Sequence, residues 1–249
     1  MTVKDIYNII DKIAPFSNQC DFDNAGLLLG GENANVSGIT VSLDCTKSAV
    51  DFAIKNNCNL IVTHHPVIFE PLKSITEQDI VFTAIKNGIS VISAHTNLDF
   101  SSGGINDTLC ELLGLQNVRK YGEIKPEIFE LRVGEITPTE PLEYAKALKE
   151  FFLVPIKFVS GNKKIKHVAI CSGSGGDLID LAIDSGADAL ITADIKHHQF
   201  LDAEQKGISL YECGHFNTED IIIEPLAEKL KEKTNLNVFC HHGAEIKYV

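Results

Sequence analysis

Two adjacent imidazoles, His64 and His65, stand in the stretch IVTHHPVIF, where a run of apolar and β-branched residues stops at Pro66. Neighbouring residues at a strand end point in different directions, so the pair could serve two neighbouring metal ions. Other histidines and carboxylates fall in comparable places: His95 and Asp99 in AHTNLD, Asp194 with His197 and His198 in ADIKHH, and His215 with Glu219 in GHFNTE. Nitrogen and oxygen donors without thiolate suit Zn, Mn, Fe, Co or Ni, not a structural cysteine-type zinc. His215 and Glu219 share one face if a helical turn starts there. A carboxylate such as Asp99 can bridge two ions, and a pair of ions about 3.5–4 Å apart is a usual site for metal-assisted hydrolysis. Blander readings stand beside these. A single histidine at a strand end is more often a cap or a core residue, and a histidine pair before proline can be a turn. His197 and His198 fit a polar helix start, and His241 and His242 a solvated surface pair.

These residues need elements to position them. Residues 37–46, 58–65 and 89–95 read as strands, separated by helices over 47–57 and 75–88, with Gly88 as the residue that ends the second. An amphipathic helix opens the chain, with Ile6, Ile9, Ile10 and Ile13 on one face. Strands alternating with helices imply a parallel sheet covered on both faces. The pattern recurs: strands over 166–176, 187–194 and 208–215, helices over 177–186 and 198–207. Between the halves lie a strand-like stretch ending near residue 136, a helix started by Thr139, Pro141 and Glu143, and a strand over 154–161. In open parallel sheets ligands bind beyond the carboxyl ends of the strands. The candidate residues follow such ends in both halves.

The halves also align. Asp51, Ala53, Ile54 and Thr63 match Asp180, Ala182, Ile183 and Thr192 at a constant offset, and NGISVISAH lies over KGISLYECGH with one residue inserted. The expected architecture is α/β: two similar, interlocked lobes with mostly parallel sheets, over residues 1–119 and 120–249, and a metal site in the cleft between them. Two glycine-rich stretches carry less. CSGSGG (171–176) lacks the spacing of a nucleotide-binding loop and reads as a tight turn, with an anion nest as the alternative. DNAGLLLG (23–30) reads as a defined turn at a sheet edge.

Composition limits the partners. The 249 residues carry 34 acids against 22 bases, a net charge of −12, which disfavours an extended nucleic-acid footprint. No run of eighteen apolar residues is present, so no membrane span is expected. The N-terminal stretch lacks a basic-then-apolar layout, and seven scattered cysteines form no C-x-x-C pair. Both point to a cytoplasmic protein with reduced thiols.

Taken together, DNAGLLLG, VTHHPVIF, AHTNLDFSSGGINDTL, CSGSGG and ITADIKHHQFLDAEQKGISLYECGHFNTE closely resemble the family of GTP cyclohydrolase I type 2 homologues, also called Nif-three-like proteins. The resemblance runs from about residue 5 to the C-terminus. It implies two interlocked α/β lobes, a dinuclear metal site and a toroidal homohexamer, a trimer of dimers. It implies His64, His65, Asp99, His215 and Glu219 as ligands of two divalent ions (Zn, Fe or Mn), His95 as a catalytic residue beside them, and Asp194 and His197 as secondary pocket residues. The implied activity is metal-dependent hydrolysis of a small molecule. GTP ring opening, cyclic C–N or amide hydrolysis and phosphoester hydrolysis all fit. The competing expectation is a metal-binding or regulatory partner-binding protein without turnover, such as a metallochaperone.

Overall fold

The runs Ile39–Ser42, Leu60–Thr63 and Ser90–Ser93 are buried along their whole length in the computed structural model, as strands covered on both faces must be. The structure describes residues 1–243 and 247. They divide into two compact units: Met1–Ser101 joined by residues 222–243, and Ser102–Ile221.

The first unit opens with α1 (Val3–Ile13), started by reciprocal hydrogen bonds between Thr2 and Asp5. Its Ile6 and Ile10 are fully buried. After β1 (Gly26–Leu29) strands and helices alternate as β2 (Ile39–Ser42), α2 (Lys47–Lys55), β3 (Leu60–Thr63), α3 (Ile80–Lys86), β4 (Ser90–Ser93) and a one-turn α4 (Thr96–Phe100). Thr46 caps α2 by accepting from the Ala49 N–H. Gly88 takes the left-handed conformation just past α3, with φ +69°, as expected. β2, β3 and β4 pair in parallel, and β1 adds antiparallel to β4. Val50, Ala53, Ile61, Val81, Ala84 and Val91 pack the core on one side of this sheet.

The second unit runs α5 (Ile105–Leu112), β5 (Gln116–Lys125), β6 (Ile128–Thr139), α6 (Pro141–Phe152), β7 (Lys157–Val159), β8 (Ile165–Ser174), α7 (Ile179–Asp184), β9 (Ala189–Ala193), α8 (His197–Lys206), β10 (Ser209–Glu212) and a one-turn α9 (His215–Glu219). Its sheet has the order β5-β6-β8-β9-β10-β7. Only β8–β9 and β9–β10 pair in parallel; β5–β6, β6–β8 and β10–β7 are antiparallel. The expectation of mostly parallel pairing therefore holds for the first sheet, while the second is mixed. The stretch that reads as one strand is a hairpin. Pro126 supplies no amide for a ladder, and Glu127 turns the chain at φ +65° between β5 and β6.

From Ile222 the chain returns to the first unit through α10 (Ile223–Lys233) and β11 (Val238–His241). β11 pairs in parallel with β2, completing the order β1-β4-β3-β2-β11. This corrects the expected boundaries of 1–119 and 120–249. The first unit ends at Ser101 and takes back the C-terminal segment. The physical reason is the edge of β2, whose backbone groups need a partner. β11 supplies one, and α10 buries Ile223, Leu226, Ala227 and Leu230 beside it. Residues 102–119 belong to the second unit, where the buried Asn106 side chain accepts from the Ser172 N–H. Among the described residues no helix is long and apolar enough to cross a membrane. All seven cysteines are free thiols, and burial pushes those of Cys45 and Cys110 up to about 12, which removes them from nucleophilic chemistry near neutral pH.

Candidate metal centre

In the first unit the ends of neighbouring parallel strands gather the chemistry. β2 leads to Asp44, β3 to His64 and His65, and β4 to His95, with Asp99 one turn further on α4. His64 is 1% exposed, and its Nδ1 lies 2.9 Å from the Ala94 carbonyl. A carbonyl only accepts, so Nδ1 carries the proton and Nε2 presents the lone pair. That Nε2 is 3.8 Å from Asp99 Oδ1. His65 Nδ1 donates to Asp44 Oδ1 at 2.7 Å, and His95 Nδ1 donates to Asp23 Oδ1 at 2.8 Å. The rings cluster, with centroids 4.8 Å apart for His64–His65, 5.1 Å for His64–His95 and 5.7 Å for His65–His95. Ligand atoms of these three residues all lie within 4.8 Å of one another, a group that can hold a metal ion. Holding one ring nitrogen with a carboxylate or carbonyl orients the imidazole and raises the basicity of the other nitrogen, which is how metal-ligating histidines are supported.

The backbone beneath is equally tied. The Thr63 and Ser93 hydroxyls both donate to the His65 carbonyl, at 2.8 and 3.2 Å. Asp23 accepts from the Thr96 N–H at 3.0 Å and the Thr96 hydroxyl at 2.5 Å, besides His95. Burial pushes the Asp23 carboxyl up, but the hydrogen bonds from His95 and Thr96 outweigh it and hold the group below its usual range.

The second unit places Asp194, His215 and Glu219 together. Asp194 follows β9 in the left-handed conformation at φ +52°. His215 Nδ1 donates to Asp194 Oδ2 at 2.6 Å, and His215 Nε2 lies 3.0 Å from Glu219 Oε2. Glu219 is buried. Burial alone would lower the His215 pKa, yet the two carboxylates raise it to about 9. An imidazole between two acids marks a place where positive charge is favoured, whether a proton or a metal ion brings it.

The CSGSGG turn contributes to this geometry as a tight turn. Gly173 sits at φ +58°, and a Cβ there would stand 2.3 Å from Glu219 Oε1, so only glycine lets the backbone approach the carboxylate. The Gly175 N–H is spent on Thr192 Oγ1 at 2.8 Å. The same spacing occurs at a strand end in each unit. β4 leads into His95 and then Asp99, β10 into His215 and then Glu219, each pair four residues apart and joined by a one-turn helix.

Other expected residues have lesser places. His197 and His198 lie exposed at the start of α8. The expectation of a solvated pair at His241 and His242 holds for His242, which is exposed, and needs correction for His241. His241 belongs to β11, with Nδ1 3.2 Å from Ser42 Oγ and its ring 5.3 Å from that of Phe52. His242 Nε2 lies 3.2 Å from Glu224 Oε1. Two residues escape a sequence reading. Asp44 falls within a stretch that reads as strand, but β2 stops at Ser42 and makes it a strand-end residue. Asp23 has no signal beyond its turn-like setting, because its partners are more than seventy positions away.

Comparison with known proteins supplies a lineage. The model of the Duf34/NIF3 (NGG1p interacting factor 3) family matches residues 1–244. The GTP cyclohydrolase 1 type 2 homolog of Clostridium acetobutylicum is 36% identical over 241 residues, covering 93% of this chain and 90% of the relative. The protein of the same name from Campylobacter jejuni is 37% identical over 237 residues, covering 93% and 92%. Among solved structures, the Staphylococcus aureus hypothetical protein SA1388 superposes with a TM-score of 0.91 at 29% identity, covering 100% of this chain and 99% of that one. Reduced HcgD from Methanocaldococcus jannaschii superposes with a TM-score of 0.83 at 25% identity, covering 96% and 97%.

Proposed function

Because the chain belongs to the Duf34/NIF3 family, we propose that it is a metal-dependent hydrolase of a small molecule, in which His64, His65, Asp99, His215 and Glu219 bind two divalent ions and His95 handles the proton. The donor set fits such ions. It offers imidazole nitrogens and carboxylate oxygens but no thiolate, which suits Zn, Fe or Mn. The carrying observation is the support behind the rings. His64, His65 and His215 each have Nδ1 held by an oxygen acceptor, so Nε2 is the nitrogen that would bind an ion; in His215 it lies 3.0 Å from Glu219 Oε2. Buried Asp99 and Glu219 supply negative charge that a cation would balance. One His–carboxylate pair comes from each unit, His64 with Asp99 and His215 with Glu219.

When bound, divalent ions supply Lewis acidity, which acidifies water and polarises the scissile group. The chain's own residues do the rest. Asp44 and the Ala94 carbonyl orient His65 and His64. Asp23 holds the His95 Nδ1–H, so that Nε2 is the atom that takes up or returns a proton. The relatives' name makes GTP a substrate to test, beside cyclic amides and phosphoesters. A homohexamer in the cytoplasm is the proposed setting, to be checked by light scattering of the purified protein.

Elemental analysis of the wild type beside His65→Ala and Glu219→Gln tests the site. Both variants should lose most of the bound metal, and metal-replete wild type should hydrolyse at least one member of the nucleotide, amide and phosphoester panel. Metal content unchanged in both variants would refute the site. Metal retained with no turnover on any substrate would leave a binding protein instead.

A further inference from the structure

We infer that Phe22 and Phe69 form a stacking platform for a planar aromatic or heteroaromatic ring of the substrate, an inference that rests on the hydrolytic reading of the neighbouring histidines. Both rings belong to the first unit and are exposed, at 69% and 46%. Their centroids lie 6.5 Å apart with the planes tilted by 56°. Phe69 also meets the His95 ring edge to face, at 6.1 Å and 89°. Single exposed apolar residues are ordinary. Two neighbouring rings, one of them against the histidine proposed to move the proton, are less so.

The loops that carry these rings are tied down by polar contacts. Phe22, Asp23 and Asn24 are consecutive and do three different jobs. Phe22 supplies a ring. Asp23 accepts from His95 Nδ1 at 2.8 Å. Asn24 Nδ2 donates to the carbonyl of Ile68 at 2.6 Å, just before Phe69. Gln19 Oε1 closes the loop by accepting from the Ala25 N–H at 2.8 Å. One turn of chain thus ties the loops that carry both phenyl rings to each other and to the imidazole.

Aromatic rings favour offset or edge-to-face contacts with centroids about 4.5–7 Å apart. The tilt and spacing here let a flat ring lie on one phenyl face while meeting the edge of the other. An aliphatic group gains only buried area at such a place, whereas a planar ring gains the quadrupole contact as well. Two phenyl rings also offer far less than the roughly 1,000 Å² that a stable protein interface requires, which favours a small molecule as the occupant.

Phenyl phosphate and cyclohexyl phosphate carry the same charge at similar size and differ in flatness. Calorimetric titration of the full-length protein with each, alongside metal analysis, tests the platform. Phenyl phosphate should bind about 3- to 10-fold more tightly. The ratio should fall towards one in Phe22→Leu and in Phe69→Leu, with metal content unchanged, and should persist in Phe69→Tyr. Equal affinities in the wild type, no binding of either compound, or a preference surviving the Phe22→Leu/Phe69→Leu double substitution would overturn the platform. Metal content is a separate readout. Wild-type protein without metal sinks the hydrolytic reading, while the affinity ratio still decides the platform.

Discussion

At the scale of single residues, the acceptors behind the imidazoles carry the most weight. Asp44 holds the Nδ1–H of the proposed ligand His65 at 2.7 Å. Asp44→Ala should therefore weaken metal affinity about 10- to 100-fold without unfolding the chain. Competition with a chromophoric chelator measures the loss, and circular dichroism checks the fold. Asp23 plays the same part for His95, but for a residue proposed to move a proton. Asp23→Asn should lower kcat by more than it changes KM while metal content stays constant, since the asparagine amide can no longer hold the Nδ1–H form by charge. Equal metal and equal kcat in this variant would remove His95 from the reaction. The histidines themselves are legible in the sequence, because their types are rare and their places follow predicted strands. Their acceptors are not. Asp23 lies 72 positions from His95, and a hydrogen bond between distant loops leaves no local pattern.

At the scale of elements, the strand-to-helix turns decide where the carboxylates go. Gly173, one residue before the end of β8, takes a conformation that only glycine adopts cheaply, against the Glu219 carboxylate. Gly173→Ala should cost about 1–3 kcal/mol of stability and release metal, because the new Cβ and Glu219 cannot both keep their places. Chemical denaturation together with elemental analysis tests both halves of that expectation. The start of β8 depends on another acid. Asp188, just before β9, accepts from the Lys166 and His167 N–H groups at 2.9 and 2.8 Å. Burial pushes its carboxyl up, but Lys163 and those two amides outweigh this and hold the pKa below its usual value. A depressed folded pKa contributes stability above the unfolded value, and that contribution is lost as pH falls through the folded one. Wild type should thus lose more stability between about pH 7 and about pH 3 than Asp188→Asn does, and the variant should be about 1–3 kcal/mol weaker at neutral pH. Urea titrations at the two pH values decide it; parallel losses would show that Asp188 is not titrating. Most of these elements are readable from periodicity. The hairpin of β5 and β6 is not, because its turn is made by Pro126 and Glu127 without a glycine.

At the scale of the whole molecule, the return of the chain to its first unit is the decisive feature. β11 pairs with β2, and α10 buries Ile223, Leu226, Ala227 and Leu230. Each such side chain contributes about 1.5–3 kcal/mol, except the smaller alanine. A chain stopped at residue 221 should therefore fail to fold its first unit, even though it retains every proposed ligand. Soluble expression and far-ultraviolet circular dichroism of the truncated chain provide the test, and a soluble, natively structured product would contradict it. By itself the sequence determined the alternation of strands and helices, the repeat and the residue types able to hold metal, because hydrophobic period and donor chemistry are local properties. Only the tertiary structure decided where the first unit ends, which strand closes its sheet and which acids stand behind the histidines. Those depend on pairings between positions far apart in the chain, whose free energy is realised only when backbone edges and buried polar groups meet in space.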